Sequence, residues 1–159
     1  MRAKSEALAQ QFEAKAREAV ALVDQVQETD WKKVAAAEQW TVGVTAHHLA
    51  SAFETVAGIV TAMVAGQPRR DFTRAMLDAL NAGHAKEHAG CTKAETLALL
   101  RKGASKAAGV IRGLTDEQLT KSETVFTDVP PMTVEQLVTL ALISHSQEHC
   151  ASIRRTVAA

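Results

Sequence analysis

The sequence predicts an all-α protein, an antiparallel four-helix bundle with a short extra helix and a longer connection before the last helix. Three observations predict it. Apolar residues recur every three or four positions through most of the chain. Val, Ile and Phe do not gather into alternating runs, and Tyr is absent altogether. Three Thr-x-x-Glu/Gln boxes, at Thr92, Thr115 and Thr133, mark helix starts. A chain of 159 residues fits one domain, residues 1–159, and can bury a sizeable core.

The first helix is expected over residues 3–29, where Leu8, Phe12, Ala16, Ala19, Val23 and Val26 form one apolar stripe. A loop carrying Trp31 and Trp40 follows. Thr41 is the expected N-cap of the second helix, which stops near Gly66-Gln67-Pro68. The third helix should run from about Phe72 to Ala89, with a stripe centred on Phe72, Met76, Ala79 and Gly83 and closed by Gly90. Thr92 with Glu95 opens the fourth helix, and Thr115 with Gln118 a short one stapled by Leu114 and Leu119. An irregular stretch from about Lys121 ends at Pro130-Pro131. Thr133 with Gln136 then opens the last helix, which runs to about Val157.

Composition excludes several classes of function. Lys+Arg and Asp+Glu both number 18, so no positive excess draws in a polyanion, which argues against a nucleic-acid partner. No apolar run reaches the ~20 residues that span a bilayer, and the N-terminal stretch lacks the apolar centre of a secretory signal. Two distant cysteines, Cys91 and Cys150, suggest no disulfide framework. A reduced cytoplasmic protein without a membrane partner is expected.

The six histidines fall into three pairs: His47-His48, His84/His88 and His145/His149. Four residues make about one helical turn, so His145 and His149 leave the last helix on one side. Counted on a regular helix, His145 lies between Val134 and Val138, and His149 between Val138 and Leu142, so both should face the core. On the second helix His48 sits about 110° from the centre of the apolar stripe, beside Val44, Ala52 and Ile59. His47 lies about 150° away, near Glu54. His48 is therefore the better inward-looking candidate.

A single buried histidine is commonly a core residue hydrogen-bonded to a carbonyl. Two on one buried turn each need partners for polar nitrogens, and a divalent metal satisfies both at once. His48 would supply a third ligand, leaving positions open for water or substrate. Other sites fail on spacing. A ferritin-like di-iron centre needs Glu-x-x-His on two helices, and no histidine here has Asp or Glu three residues before it. His-Glu-x-x-His is absent too. Cys150 projects about 100° from His149 and reads as a packing residue.

The stretch WTVGVTAHHLA, residues 40–50, resembles the signature of the DinB/YfiT-like family, a Trp-Ser/Thr-Val followed by His eight residues after the Trp. That count falls on His48. ETDWKK around Trp31 resembles the family's first loop, and His145-x-x-x-His149 its closing motif, so the likeness runs from about Glu28 to the C-terminus. It implies a four-helix bundle with up-down-down-up connectivity, a divalent ion (zinc, nickel, iron or manganese) on His48, His145 and His149, and a homodimer. Activities in such proteins include thiol S-transfer with a low-molecular-weight thiol cosubstrate, mycothiol-dependent maleylpyruvate isomerisation and metal-dependent hydrolysis, all on small-molecule substrates. His145 stands where some relatives carry Glu, which sets the chain apart from the isomerases. His47, His84 and His88 lie outside the motif and are expected to be solvated or at a dimer interface, with Asn81 or His84 near the pocket.

Overall fold

Side-chain caps decide where the helices begin. In the computed structural model, which describes residues 1–67 and 71–159, Thr41 accepts from the Val44 amide and opens α2, Val42–Val64. Thr92, Thr115 and Thr133 each form a complete reciprocal capping box, opening α4 (Lys93–Gly113), α5 (Asp116–Leu119) and α6 (Val134–Val138). Each box satisfies amides that the first helical turn leaves unpaired. α1 spans Ala3–Gln25, shorter than expected, because the chain turns extended at Val26 while keeping that side chain buried. α2 ends on Gly66 at φ 72°, where the Gly66 and Gln67 amides return to the carbonyls of Met63 and Ala62. This is a Schellman closure, which glycine accommodates without a Cβ penalty. Pro68, read as part of that stop, lies outside the described residues.

α3 covers Arg74–Glu87, capped by Thr73 rather than starting at Phe72. Of its expected stripe, Phe72 is buried just ahead of the helix, while Met76, Ala79 and Gly83 face solvent. Met76 and Leu80 are exposed, and the side turned toward the bundle carries Leu77, Asn81, His84 and His88. A polar match with α2, described below, overrides the apolar moment of a short helix. The stretch before the last helix is zipped by a two-residue antiparallel pair, β1 (Ser122–Glu123) on β2 (Met132–Thr133). The sequence predicts an irregular segment here, since so short a ladder has no periodicity to detect.

The bundle consists of α1, α2, α4 and the last helix, with α3 lying on the outside of α2. α4 packs on both α1 and α2, and so does the last helix. α1 and α2, neighbours in sequence, meet across the core, where the rings of Phe12 and Phe53 stand edge-to-face at 4.9 Å. Both rings are fully buried, and truncating either to Ala would cost about 3–5 kcal/mol. Arg112 clamps α4 to α1 through Glu6 and a bidentate bond to Glu13, an exposed pair that contributes little to stability. Among the described residues no helix is long and apolar enough to cross a membrane.

The last helix is not regular. α6 passes into a π-helical segment, Thr139–Ser144, before α7 resumes at His145–Ala158. A regular helix would carry the buried stripe through 134, 138, 141, 145, 149 and 152. The wider π turn delays it by one residue. The stripe observed is Val134, Val138, Leu142, Ser146, Cys150 and Ile153, each almost wholly buried. His145 and His149 therefore flank the core instead of occupying its centre. Cys150 packs in the core, as the sequence reading has it.

A candidate metal centre and a second histidine cluster

The loop between α1 and α2 sets the site's geometry. Trp31 donates from Nε1 to the Cys91 carbonyl at 2.9 Å, and its ring lies so close to Gly43 that a Cβ there would stand 2.5 Å from Nε1. The Gly43 and Val42 amides reach back to the carbonyls of Trp31 and Lys33. Between them the chain doubles over, with Ala35 N–H donating to the Trp40 carbonyl and Gln39 forced to φ 59°. A left-handed non-glycine residue is uncommon and costs energy. Here it accompanies the turn that aims Glu38 at α7.

Three imidazoles converge beside this turn. His48 Nε2 lies 3.2 Å from His145 Nε2, and His149 Nε2 lies 2.8 Å from the same atom. All three offer ligand nitrogens within 4.8 Å of one another. Trp40 packs on the His48 ring at 5.1 Å between centroids. On the far side, His149 Nδ1–H donates to Glu38 Oε1 at 2.9 Å, and Ser152 Oγ–H donates to Glu38 Oε2 at 2.6 Å. Burial pushes the Glu38 carboxyl up, but the bonds from Ser152 and His149 outweigh it and hold the group below its ordinary value. It is thus an ionised acceptor, which fixes the proton of His149 on Nδ1 and turns the Nε2 lone pair inward. Sequence reasoning missed Glu38. Its place two residues before Trp40 was visible, but nothing in the spacing says that a left-handed turn would aim it at His149.

Electrostatics keeps two of these rings, His48 and His145, neutral. Burial, then the neighbouring imidazoles, lowers His48 to about 3, and burial with His149 lowers His145 to about 4. Neutral rings are ligands, but lone pairs aimed at one another repel unless a proton or a cation stands between them. Nitrogens held tetrahedrally at about 2.0–2.1 Å from zinc stand roughly 3.4 Å apart, close to the separations found here. His145 Nδ1 is buried without a hydrogen-bond partner among the described residues, a cost that native structures concentrate at working sites. The donor set fits a divalent ion.

His47 departs from expectation. It is buried, with 8% exposed, and more enclosed than His48. The wheel turned it outward because it could not know that α3 covers that flank. His47 Nδ1 lies 2.9 Å from His84 Nε2, and Ser51 Oγ lies 3.2 Å from the same nitrogen. The His88 ring stacks on His47 at 4.1 Å. These three histidines, read from sequence as solvated or interfacial, form a second cluster. Surface grooves of ≈ 540 and ≈ 730 Å³ occur elsewhere, one beside Ser152 and one between α1 and α4, and neither is lined by a histidine. An ion needs lone pairs rather than volume, so the converging nitrogens mark the site better than the grooves do.

The model of the mycothiol maleylpyruvate isomerase N-terminal domain family matches residues 12–141. The chain belongs to this family. The match begins earlier than the resemblance read at Glu28 and stops just before His145, so it includes Glu38 and His48 but not the last pair. Among solved structures, YfiT from Bacillus subtilis, described as a probable metal-dependent hydrolase with an unusual four-helix bundle topology, superposes with a TM-score of 0.78 at 19% identity. The superposition covers 98% of this chain and 87% of that one, which shows that the isomerase N-terminal domain fold here is the YfiT bundle. No curated protein matches.

Proposed function

We propose that the protein is a metal-dependent enzyme in which His48, His145 and His149 hold a divalent ion, and that it transfers a thiol to, or hydrolyses, a small electrophilic substrate. When bound, such an ion supplies Lewis acidity, drawing a thiol or water toward its deprotonated form near neutral pH and polarising the electrophile. The observation that carries this reading is the meeting of three imidazole nitrogens, with a carboxylate bonded to the far nitrogen of one of them. Glu38 and Ser152 orient His149, and Trp40 packs against His48. Three ligands from two helices leave coordination positions for reactants, whereas a closed structural site takes four. His145, where some relatives have Glu, keeps the set all-imidazole, which suits zinc, nickel or iron. The description of YfiT as a probable hydrolase favours a small-molecule substrate, and the family's namesake mycothiol chemistry favours a low-molecular-weight thiol as one cosubstrate. A homodimer and a cytoplasmic setting belong to the same reading, and sedimentation and fractionation test them.

The experiment is metal analysis of untagged protein combined with turnover. A bound ion should be lost in His48→Ala and His149→Ala and kept in His47→Ala. Loaded protein should conjugate thiols to epoxides or halo-aromatics, or hydrolyse esters or amides, and stop on chelation. A second reading, a non-catalytic metal- or ligand-binding bundle, is favoured if the ion is present and no substrate in this panel turns over. Both ligand variants keeping the full wild-type number of ions would refute the site itself.

A further inference from the structure

We infer that His47, His84 and His88 form a second, separate site for an imidazole-preferring divalent ion, which clamps α3 onto α2. The three rings offer ligand atoms within 4.8 Å of one another, and Ser51 Oγ stands beside them, 3.2 Å from His84 Nε2. His84 Nδ1 is buried and has no hydrogen-bond partner among the described residues. Three neutral imidazoles carry three N–H donors and three lone pairs. The cluster's hydrogen bonds, one ring-to-ring contact and one to a hydroxyl, both fall on His84 Nε2 and leave His84 Nδ1 buried and unmatched. Burying polar groups in that state is unfavourable, and a cation shared by the lone pairs removes much of the cost.

The surrounding structure gives such an ion a task. No residue of α3 is buried, and Met76 and Leu80 face solvent, so apolar packing contributes little to holding this helix. The side that faces the bundle carries His84 and His88 beside Leu77 and Asn81, and His47 lies directly beneath the two histidines. One adjustment is required. His47 and His88 stack at 23°, and two nearly parallel rings cannot both aim in-plane lone pairs at one ion, so His88 must leave the stack. It can do so because it is the C-cap of α3, beyond the last helical residue. Nitrogen-only donors select zinc, nickel or cobalt over magnesium or calcium.

This site shares no ligand with the first. His47 and His48 are consecutive, and the rings of His48 and His84 are 5.9 Å apart, so the two sites share a wall. Two divalent charges so near repel. The first cluster has a carboxylate behind one ring, whereas among the described residues none is hydrogen-bonded to a ring nitrogen of the second. The second ion should therefore bind more weakly.

The test is zinc and nickel titration of metal-free, full-length protein by calorimetry, with stoichiometry checked by elemental analysis. Wild type should take two ions in two steps. His84→Gln/His88→Gln should keep the tighter one alone, and His145→Gln/His149→Gln should keep one with the weaker affinity. In the latter variant zinc should also slow amide exchange across residues 74–88, a readout that remains if the His84/His88 variant fails to fold. A single ion in wild type with none in the His145/His149 variant overturns the second site and leaves the first intact. One ion retained in the His145/His149 variant and none in the His84/His88 variant sinks the first reading and supports this one. Zinc binding to the His145/His149 variant without protection of α3 overturns the clamp.

Discussion

Two histidine triads stand side by side on α2, and they differ in what lies behind the rings. The first, His48 with His145 and His149, joins two helices of the bundle, and Glu38 fixes one ring through Nδ1 while Ser152 fixes Glu38. The second, His47 with His84 and His88, joins α2 to an outlying helix, with a hydroxyl and a stacked ring but, among the described residues, no carboxylate bonded to an imidazole. Similar residues at similar separations thus differ in preorganisation. A ligand whose tautomer and orientation are already set loses less freedom when an ion binds.

The largest effect that tests this contrast is ligand loss. His149→Ala should abolish binding at the tight site and all metal-dependent turnover, while His88→Ala leaves turnover within a few-fold of wild type. Equal losses from both would erase the distinction.

Next in size is the pH dependence of the metal-free protein. His48 is lowered to about 3, and His145 and His47 to about 4, whereas the unfolded chain takes up these protons near the ordinary value of 6.5. A depressed histidine pKa means that the unfolded state binds more protons at acid pH. Stability is therefore fully present above about pH 6.5 and declines as pH falls toward 4 and then 3. Each ring held neutral contributes up to about 1.4 kcal/mol per pH unit. Urea midpoints at pH 7.5, 6.0 and 5.0 measure the slope. His47→Gln and His48→Gln should each remove one ring's share, and a flat profile down to pH 5 would contradict the burial of both triads.

Glu38→Gln comes third. It keeps the shape but loses the fixed tautomer, and should weaken the tighter ion about 10- to 100-fold without moving the weaker one. An unchanged tight affinity would mean that the carboxylate does not separate the two sites. Gly43→Ala should cost about 1–3 kcal/mol by driving a Cβ into Trp31, and chemical denaturation reads it directly. The smallest effect is Thr133→Ala, about 1 kcal/mol from a lost cap far from either triad, with both affinities unchanged.

Much of this could be read from local pattern. Thr41, Thr92, Thr115 and Thr133 announce helix starts because a cap is a contact among residues three apart, and the structure forms every one of them. The stripe from Leu8 to Val26 is buried as its spacing requires. His48, His145 and His149 could be nominated together because i, i+4 spacing and a Trp-to-His interval are sequence facts. Glu38, the orientation of α3 and the burial of His47 could not be read this way, since each depends on a neighbour distant in the chain.

The sequence by itself determined the helical class and the places where helices start, because these depend on contacts within a few residues, and it nominated one histidine set through an i, i+4 pair and a family resemblance at His48. Only the tertiary structure decided which way the rings turn. The π segment at Thr139–Ser144 moves the core stripe onto Leu142, Ser146 and Cys150, which swings His145 and His149 off the core toward His48 and the Glu38 turn. A one-residue delay in a helix rotates everything after it by about 100°, and in this fold that rotation accompanies the meeting of His48, His145 and His149 beside Glu38.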